Sequence, residues 1–296
     1  SGPGGSGGQR AGSRSHSGTC FGSGNRAAPA SGRAGKGPVV RLMSLPIRTL
    51  GNTGMSVSLL GLGTVKLGRN EAVKYPTAFE LPDDQTATRL LDTARELGIN
   101  LLDTAPAYGS SEARLGKLLL DRRNDWLLCS KVGETFENGA SSYDFSPEAV
   151  RASVKASLQC LHTDHLDIVL IHSNGDDLKI LDELGTLDCL NDLKARGWIR
   201  ATGISHKTVA GGERAIELGC DVIMATLNLN EQSEADLIAR AGRQGCGVLV
   251  KKALASGHSG TESLRFAAGA PGVSSVIVGT INTKHLRENA AAVSES

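Results

Sequence analysis

The strongest constraint on the fold is a rhythm. From residue 56 onward the chain alternates a short apolar run with a helical pattern, and it does so eight times. The apolar runs are SLLGLG, NLLDTA, WLLCSK, LDIVLIH, IRATGIS, DVIMATLN, GVLVKKA and SSVIVGT. They show no in/out alternation, as expected of parallel strands buried on both faces. The helical patterns carry their own start and stop signals. DDQTATRLLDTARELG begins with Asp83 and Asp84 and ends at Gly98, and SPEAVRASVKASLQCL has Ser146 as its cap with Pro147 in the first turn. Eight strand–helix units in roughly 250 residues fit one closed (β/α)8 TIM barrel. A doubly wound open sheet is the competitor, but it usually carries a glycine-rich turn that leads straight into a helix. GLGTVKLG has two spaced glycines and is expected to open no helix directly. Ahead of the first barrel strand, two β-prone runs flank Gly51-Asn52-Thr53-Gly54, which predicts a hairpin.

Composition divides the chain in two. Residues 1–42 are Gly/Ser-rich and hold six basic residues (Arg10, Arg14, Arg26, Arg33, Lys36 and Arg41) without one acid. Such a segment has little to bury and is expected to be a flexible leader, either of expression-vector origin or a mis-called start. A transit peptide is the other reading, because the stretch is Arg/Ser-rich. Residues 43–296 then form a single domain, with 26 basic against 31 acidic residues. That balance suggests no nucleic-acid surface. No apolar run reaches the ~18 residues of a membrane span. Cys20, Cys129, Cys160, Cys189, Cys220 and Cys246 form no CxxC pair, and several lie in apolar periodic segments. They read as buried thiols in a reducing compartment, the cytoplasm, with no disulfide and no metal site. No oligomeric state follows from the sequence.

In a barrel of this kind the chemistry lies at the C-terminal ends of the strands. The second strand ends in Asp103, the third in Lys131 and the fourth in His172, and Tyr108 follows Asp103 by five residues. Each alone has an ordinary explanation, as a helix cap, a solvated lysine, a structural histidine. Together they suit proton transfer to a carbonyl. A phenol has a pKa of ~10, and a neighbouring ammonium is expected to lower it. An aspartate would keep that ammonium charged, and a histidine would orient the oxygen.

The segment GINLLDTAPAYGSSEARLGKLL resembles the first signature of the aldo-keto reductases, through Asp-Thr-Ala, Tyr-Gly, Glu112 and Gly116. LLCSK, LQCLHTDHLDIVLIH and SSVIVGTINTKHLRENAAA resemble the family's lysine strand, histidine strand and cofactor segment. The resemblance runs from about Arg48 to Val293. It implies an NAD(P)H-dependent reductase of small-molecule aldehydes or ketones, with Asp103, Tyr108, Lys131 and His172 as the catalytic four. It also implies that the N-terminal hairpin closes the barrel bottom.

By the same resemblance the cofactor is NADPH, with NADH possible, held by Gly63, Thr64, Ser205, His206, Met224, Lys251, Gly279, Thr280, Asn282, His285, Glu288 and Asn289. The last helix would offer its free N–H groups to the adenosine phosphates. Several positions depart from the family. His206 stands for asparagine, Met224 for glutamine, Lys251 for a stacking aromatic, and His285 for an arginine that favours NADPH. Loops 68–85 and 133–146 are expected to wall the pocket with Tyr75, Phe79, Phe136 and Tyr143. Two other function classes remain. One is a Schiff-base lyase of the class I aldolase type using Lys131. The other is a cofactor-binding barrel with a mainly non-catalytic role.

Overall fold

The computed structural model describes Ser1, Gly2 and residues 45–294 other than Lys74 and Pro76. The leader expected over 1–42 lies almost wholly outside the described residues. A hairpin of β1 (Ile47–Thr49) and β2 (Ser56–Ser58) comes first. The barrel strands follow as β3 (Leu60–Gly63), β4 (Leu101–Asp103) and β5 (Leu127–Val132). A second hairpin, β6 (Glu134–Glu137) with β7 (Ala140–Tyr143), then interrupts the series. It resumes with β8 (Leu166–His172), β9 (Ile199–Ser205), β10 (Val222–Thr226), β11 (Gly247–Lys251) and β12 (Ser275–Val278). The eight barrel strands pair in parallel, in chain order, and close where Val276 of β12 meets Leu60 of β3.

The helices are α1 (Val65–Gly68), α2 (Asp84–Glu96), α3 (Ser111–Leu118), α4 (Pro147–Cys160) and α5 (Asp177–Asp182). Then come α6 (Thr186–Ala195), α7 (Val209–Glu217), α8 (Ala235–Arg243), α9 (Thr261–Gly269) and α10 (Thr283–Ser294). Their ends follow the local chemistry. Asp83 accepts from Thr86 N at 2.7 Å and Ser146 from Ala149 N at 3.3 Å, each satisfying a first-turn amide. Gly98 leaves α2 with a φ of 84°, the left-handed turn that glycine adopts at low cost.

The burial falls into two layers. One joins the outer strand faces to the helices and includes Leu91, Leu115, Val150, Leu190, Ile238 and Leu286. The other fills the barrel itself, and here the first hairpin is decisive. Leu50, Met55 and Val57 pack with Leu101, Ile168 and Leu249 inside the barrel. Asn52 N bonds Gly245 O at 2.8 Å and seats the turn against the strand-bottom loop. The hairpin closes the bottom of the barrel, as the family resemblance implied.

Three local features differ from the sequence reading. GLGT does open a helix, the single turn α1. It is crowded: a Cβ on Gly68 would sit 2.1 Å from Ser111 N and 2.3 Å from Tyr108 O. Only a glycine lets α1 lie this close to the Tyr108 turn. The stretch 133–146 is not a plain loop but holds β6 and β7. Helix α5 adds an extra turn after β8, because Asp177 is buried and accepts from Thr208 N and Oγ1 at 2.8 and 2.6 Å.

Candidate active site

A cavity of about 890 Å³ opens at the C-terminal ends of the strands. Asp103, Tyr108, Lys131 and His172 all line it. Asp103 ends β4, and the chain then turns through a short 3₁₀ helix, Pro106–Tyr108, that carries the phenol back over the mouth. The Lys131 ammonium lies 2.6 Å from Asp103 Oδ1, 2.9 Å from Thr104 O and 4.7 Å from the centre of the Tyr108 ring. The Tyr108 and His172 rings meet edge to face, with centroids 6.2 Å apart.

The electrostatics differ from the simple expectation. Burial raises the Tyr108 phenol, Lys131 lowers it, Asp103 raises it, and the balance is about 12. The ammonium does pull in the expected direction, but desolvation of the phenolate wins. Burial alone would lower Lys131, yet Asp103 and Tyr108 hold it above the usual lysine range. Lys131 is therefore a fixed ammonium, with two of its protons committed to oxygen. An ammonium is no nucleophile, which disfavours the Schiff-base lyase.

Of the twelve expected cofactor contacts, nine line the cavity: Gly63, Ser205, Met224, Lys251, Gly279, Thr280, His285, Glu288 and Asn289. The other three do not. Thr64 is buried, with its hydroxyl donating to Asp103 O at 3.0 Å and accepting from Ser111 Oγ at 2.8 Å. His206 is buried, with Nδ1 3.1 Å from Thr208 O, and burial followed by Lys251 lowers it to about 4. Asn282 is exposed and caps α10, accepting from Lys284 N at 2.8 Å and His285 N at 3.4 Å. Two of the amides expected to be free for a phosphate are thus already taken by Asn282.

Lys251 does not float beside the cavity. Its ammonium donates to Ser205 Oγ at 3.0 Å and His206 O at 2.6 Å, and burial lowers it to about 8. Lys66, Lys207 and Lys252 also line the cavity, and the sequence reading assigned none of them a cofactor contact. A dinucleotide fits this wall. The volume suffices, the lysines supply cations for a pyrophosphate, and Gly63 and Gly279 leave bare backbone between β3 and β12.

Among the expected pocket walls, Tyr75 reaches the cavity, while Phe79 packs edge-on to it at 5.7 Å. Phe136 instead lies under the Arg69 guanidinium at 3.3 Å, and Tyr143 stacks on Phe145 at 6.1 Å. Glu112, part of the signature segment, is buried away from the cavity and accepts from Ser130 and Ser157. A second carboxylate was missed: Glu134 Oε2 lies 2.8 Å from His172 Nδ1. The signal that could have found it is Asn138-Gly139, both left-handed (φ 52° and 78°), a hairpin turn that returns β7 onto β6.

A closed parallel barrel with an Asp–Lys–Tyr–His cluster at its open mouth is the arrangement that the resemblance to the aldo-keto reductases implied. The comparisons agree. The model of the aldo/keto reductase family matches residues 59–262. The chain is 30% identical to L-galactose dehydrogenase of Arabidopsis thaliana over 86% of this chain and 90% of that protein. It is 30% identical to the NADH-specific methylglyoxal reductase of Escherichia coli over 70% of this chain and 67% of that protein. A solved structure from Pseudomonas aeruginosa described as an aldo-keto reductase superposes with a TM-score of 0.78 at 48% identity, covering 84% of this chain and 94% of that one. The chain belongs to the aldo/keto reductase family. It is an NAD(P)H-dependent oxidoreductase acting on carbonyl compounds.

Proposed function

We propose that Tyr108 is the proton donor in carbonyl reduction, with Lys131, Asp103 and His172 setting its environment. The observation that carries this reading is the Lys131 ammonium, held by Asp103 and Thr104 O and facing the Tyr108 ring at 4.7 Å. A bound reduced nicotinamide supplies hydride to the carbonyl carbon. The Tyr108 hydroxyl donates to the carbonyl oxygen and passes its proton there as the alcohol forms. Lys131 stabilises the phenolate left behind, and Asp103 keeps Lys131 charged where burial opposes charge. A phenol raised to about 12 is fully protonated at neutral pH, so the donor is loaded before substrate arrives.

The cofactor contacts proposed are the nine that line the cavity, with Lys251 toward the nicotinamide and Lys252 toward the pyrophosphate. NADPH is the proposed preference, because His285 lines the cavity at the position where the resemblance puts an arginine. The preference is weak, since a histidine is a poorer phosphate anchor than an arginine. Residues 43–296 are the proposed functional domain. The unpaired thiols Cys129, Cys160, Cys189, Cys220 and Cys246 support a reducing compartment, the cytoplasm. Among the described residues no helix is long and apolar enough to cross a membrane. Fluorescence titration with NADPH and NADH in parallel, followed by aldehyde turnover, tests the reading. Quenching by both with tighter NADPH is expected. Binding without turnover of any aldehyde or ketone would leave the non-catalytic barrel as the better account.

A further inference from the structure

At the edge of the cavity, His172 meets a carboxylate that lies outside the proton-donor cluster. Glu134 opens β6, three residues after Lys131, and the β6–β7 hairpin brings it against His172 at the end of β8. His172 Nδ1 is buried, 2.8 Å from Glu134 Oε2, although the approach falls outside hydrogen-bond alignment. Glu134 is itself anchored, because Ser141 Oγ of β7 donates to its Oε1 at 2.6 Å. The hairpin is braced in turn by Arg69, whose guanidinium covers Phe136 of β6 and donates to Ala107 O in the Tyr108 turn at 3.1 Å. These contacts tie the Glu134 strand, the Tyr108 turn and the first barrel loop together.

We infer that Glu134 is a positioning residue that fixes where the His172 proton sits. A carboxylate beside Nδ1 repels a lone pair and attracts N–H, so the neutral ring carries its proton on Nδ1. Nε2 then faces the cavity as an acceptor. It becomes a donor to a carbonyl oxygen only when the ring is an imidazolium. The inference rests on the reading of His172 as a substrate-facing group.

The consequence is directional. A neutral His172 offers a carbonyl oxygen no hydrogen-bond donor. A protonated His172 donates to a carbonyl oxygen and suits reduction. The groups that face the ring decide which form prevails. Glu134 from β6 favours the cation, while Lys131 from β5 and Lys251 from β11 oppose it, and the neutral Tyr108 ring lies edge-on from the 3₁₀ turn. Burial is the largest influence and, with the lysines, leaves His172 below the usual histidine value. Burial would raise Glu134, but His172, Ser141 and Arg69 hold it near 2, so the carboxylate is charged throughout the working range. The ring is therefore neutral at pH 7, and carbonyl reduction gains a helpful donor only as pH falls into the acid range.

The test uses the full chain labelled with ¹⁵N-histidine. At pH 7.5 the His172 ring nitrogens are expected to report the Nδ1–H tautomer. An Nε2–H tautomer would overturn the inference without any variant being needed. In Glu134→Gln the His172 pKa is expected to drop by about one unit or more, as for loss of an adjacent opposite charge, with Glu134→Asp between the two. The acid limb of kcat/KM for aldehyde reduction should move with it, while NADPH affinity and Tm stay within error. An unchanged His172 pKa in Glu134→Gln overturns the inference. A shifted pKa with a pH–rate profile that stays put leaves the pairing standing and overturns the reading of His172 as a substrate contact.

Discussion

The two hairpins of this molecule have the same secondary structure and opposite employment. The β1–β2 hairpin sits at the bottom of the barrel and sends Leu50, Met55 and Val57 inward, where each is at most 3% exposed. The β6–β7 hairpin sits at the open mouth, with β7 exposed along its length, and sends one carboxylate toward a histidine. The first is held by apolar burial and contributes stability. The second is held by Ser141, Arg69 and the Glu134–His172 contact, and contributes charge at a site. The general lesson is that the closed end of the barrel was built for folding and the open end for chemistry.

The contrast can be broken or sharpened by substitution. The largest effect is expected at the open end: Tyr108→Phe should lose roughly 10²- to 10⁴-fold in kcat, the range of general acid catalysis, while Tm and NADPH binding hold. Near-normal aldehyde turnover by that variant would remove Tyr108 from its proposed role. Lys131→Met should be the exception that costs both activity and stability. It strands the buried Asp103 carboxylate, at about 3–5 kcal/mol, and removes the ammonium that pulls the Tyr108 phenol down. A denaturant midpoint equal to that of the parent would show that Asp103 finds another partner.

At the closed end, Leu50→Ala should cost about 2–5 kcal/mol of stability, because its side chain is fully buried in the barrel. Its kcat at 20 °C should not change. A selective loss of kcat would mean that the bottom of the barrel couples to the mouth. A smaller effect is expected at Lys251. Its amine is charged below about 8 and neutral above, so it should disfavour the cationic NADP⁺ relative to NADPH only on the acid side. The ratio of the two dissociation constants should therefore fall as pH rises through 8, and Lys251→Tyr should abolish that dependence. An equal weakening of both forms at every pH would place the lysine on the pyrophosphate alone. The smallest effect is expected from removing residues 1–42, which should leave Tm and turnover within error because that composition offers no core. A fall of several degrees would show that the segment packs on the barrel.

The sequence by itself determined the barrel. Eight apolar runs alternating with capped helical patterns leave few ways to bury both faces of a parallel sheet, and the same runs place Asp103, Lys131 and His172 at one rim. It also determined the Asp83 and Ser146 caps, whose bonding is local. Only the tertiary structure decided what depends on contacts between distant segments. Burial, not the lysine, sets the Tyr108 pKa, because desolvation is summed over every element around the mouth. Asn282, Thr64 and His206 turned to neighbouring backbone and side chains instead of the cavity. Lys251 found oxygens on the last residue of β9 and the residue after it, 46 and 45 residues away in sequence. Glu134 met His172 because Asn138-Gly139 folds a polar hairpin back over β8, and no apolar periodicity announces a strand pair that buries so little.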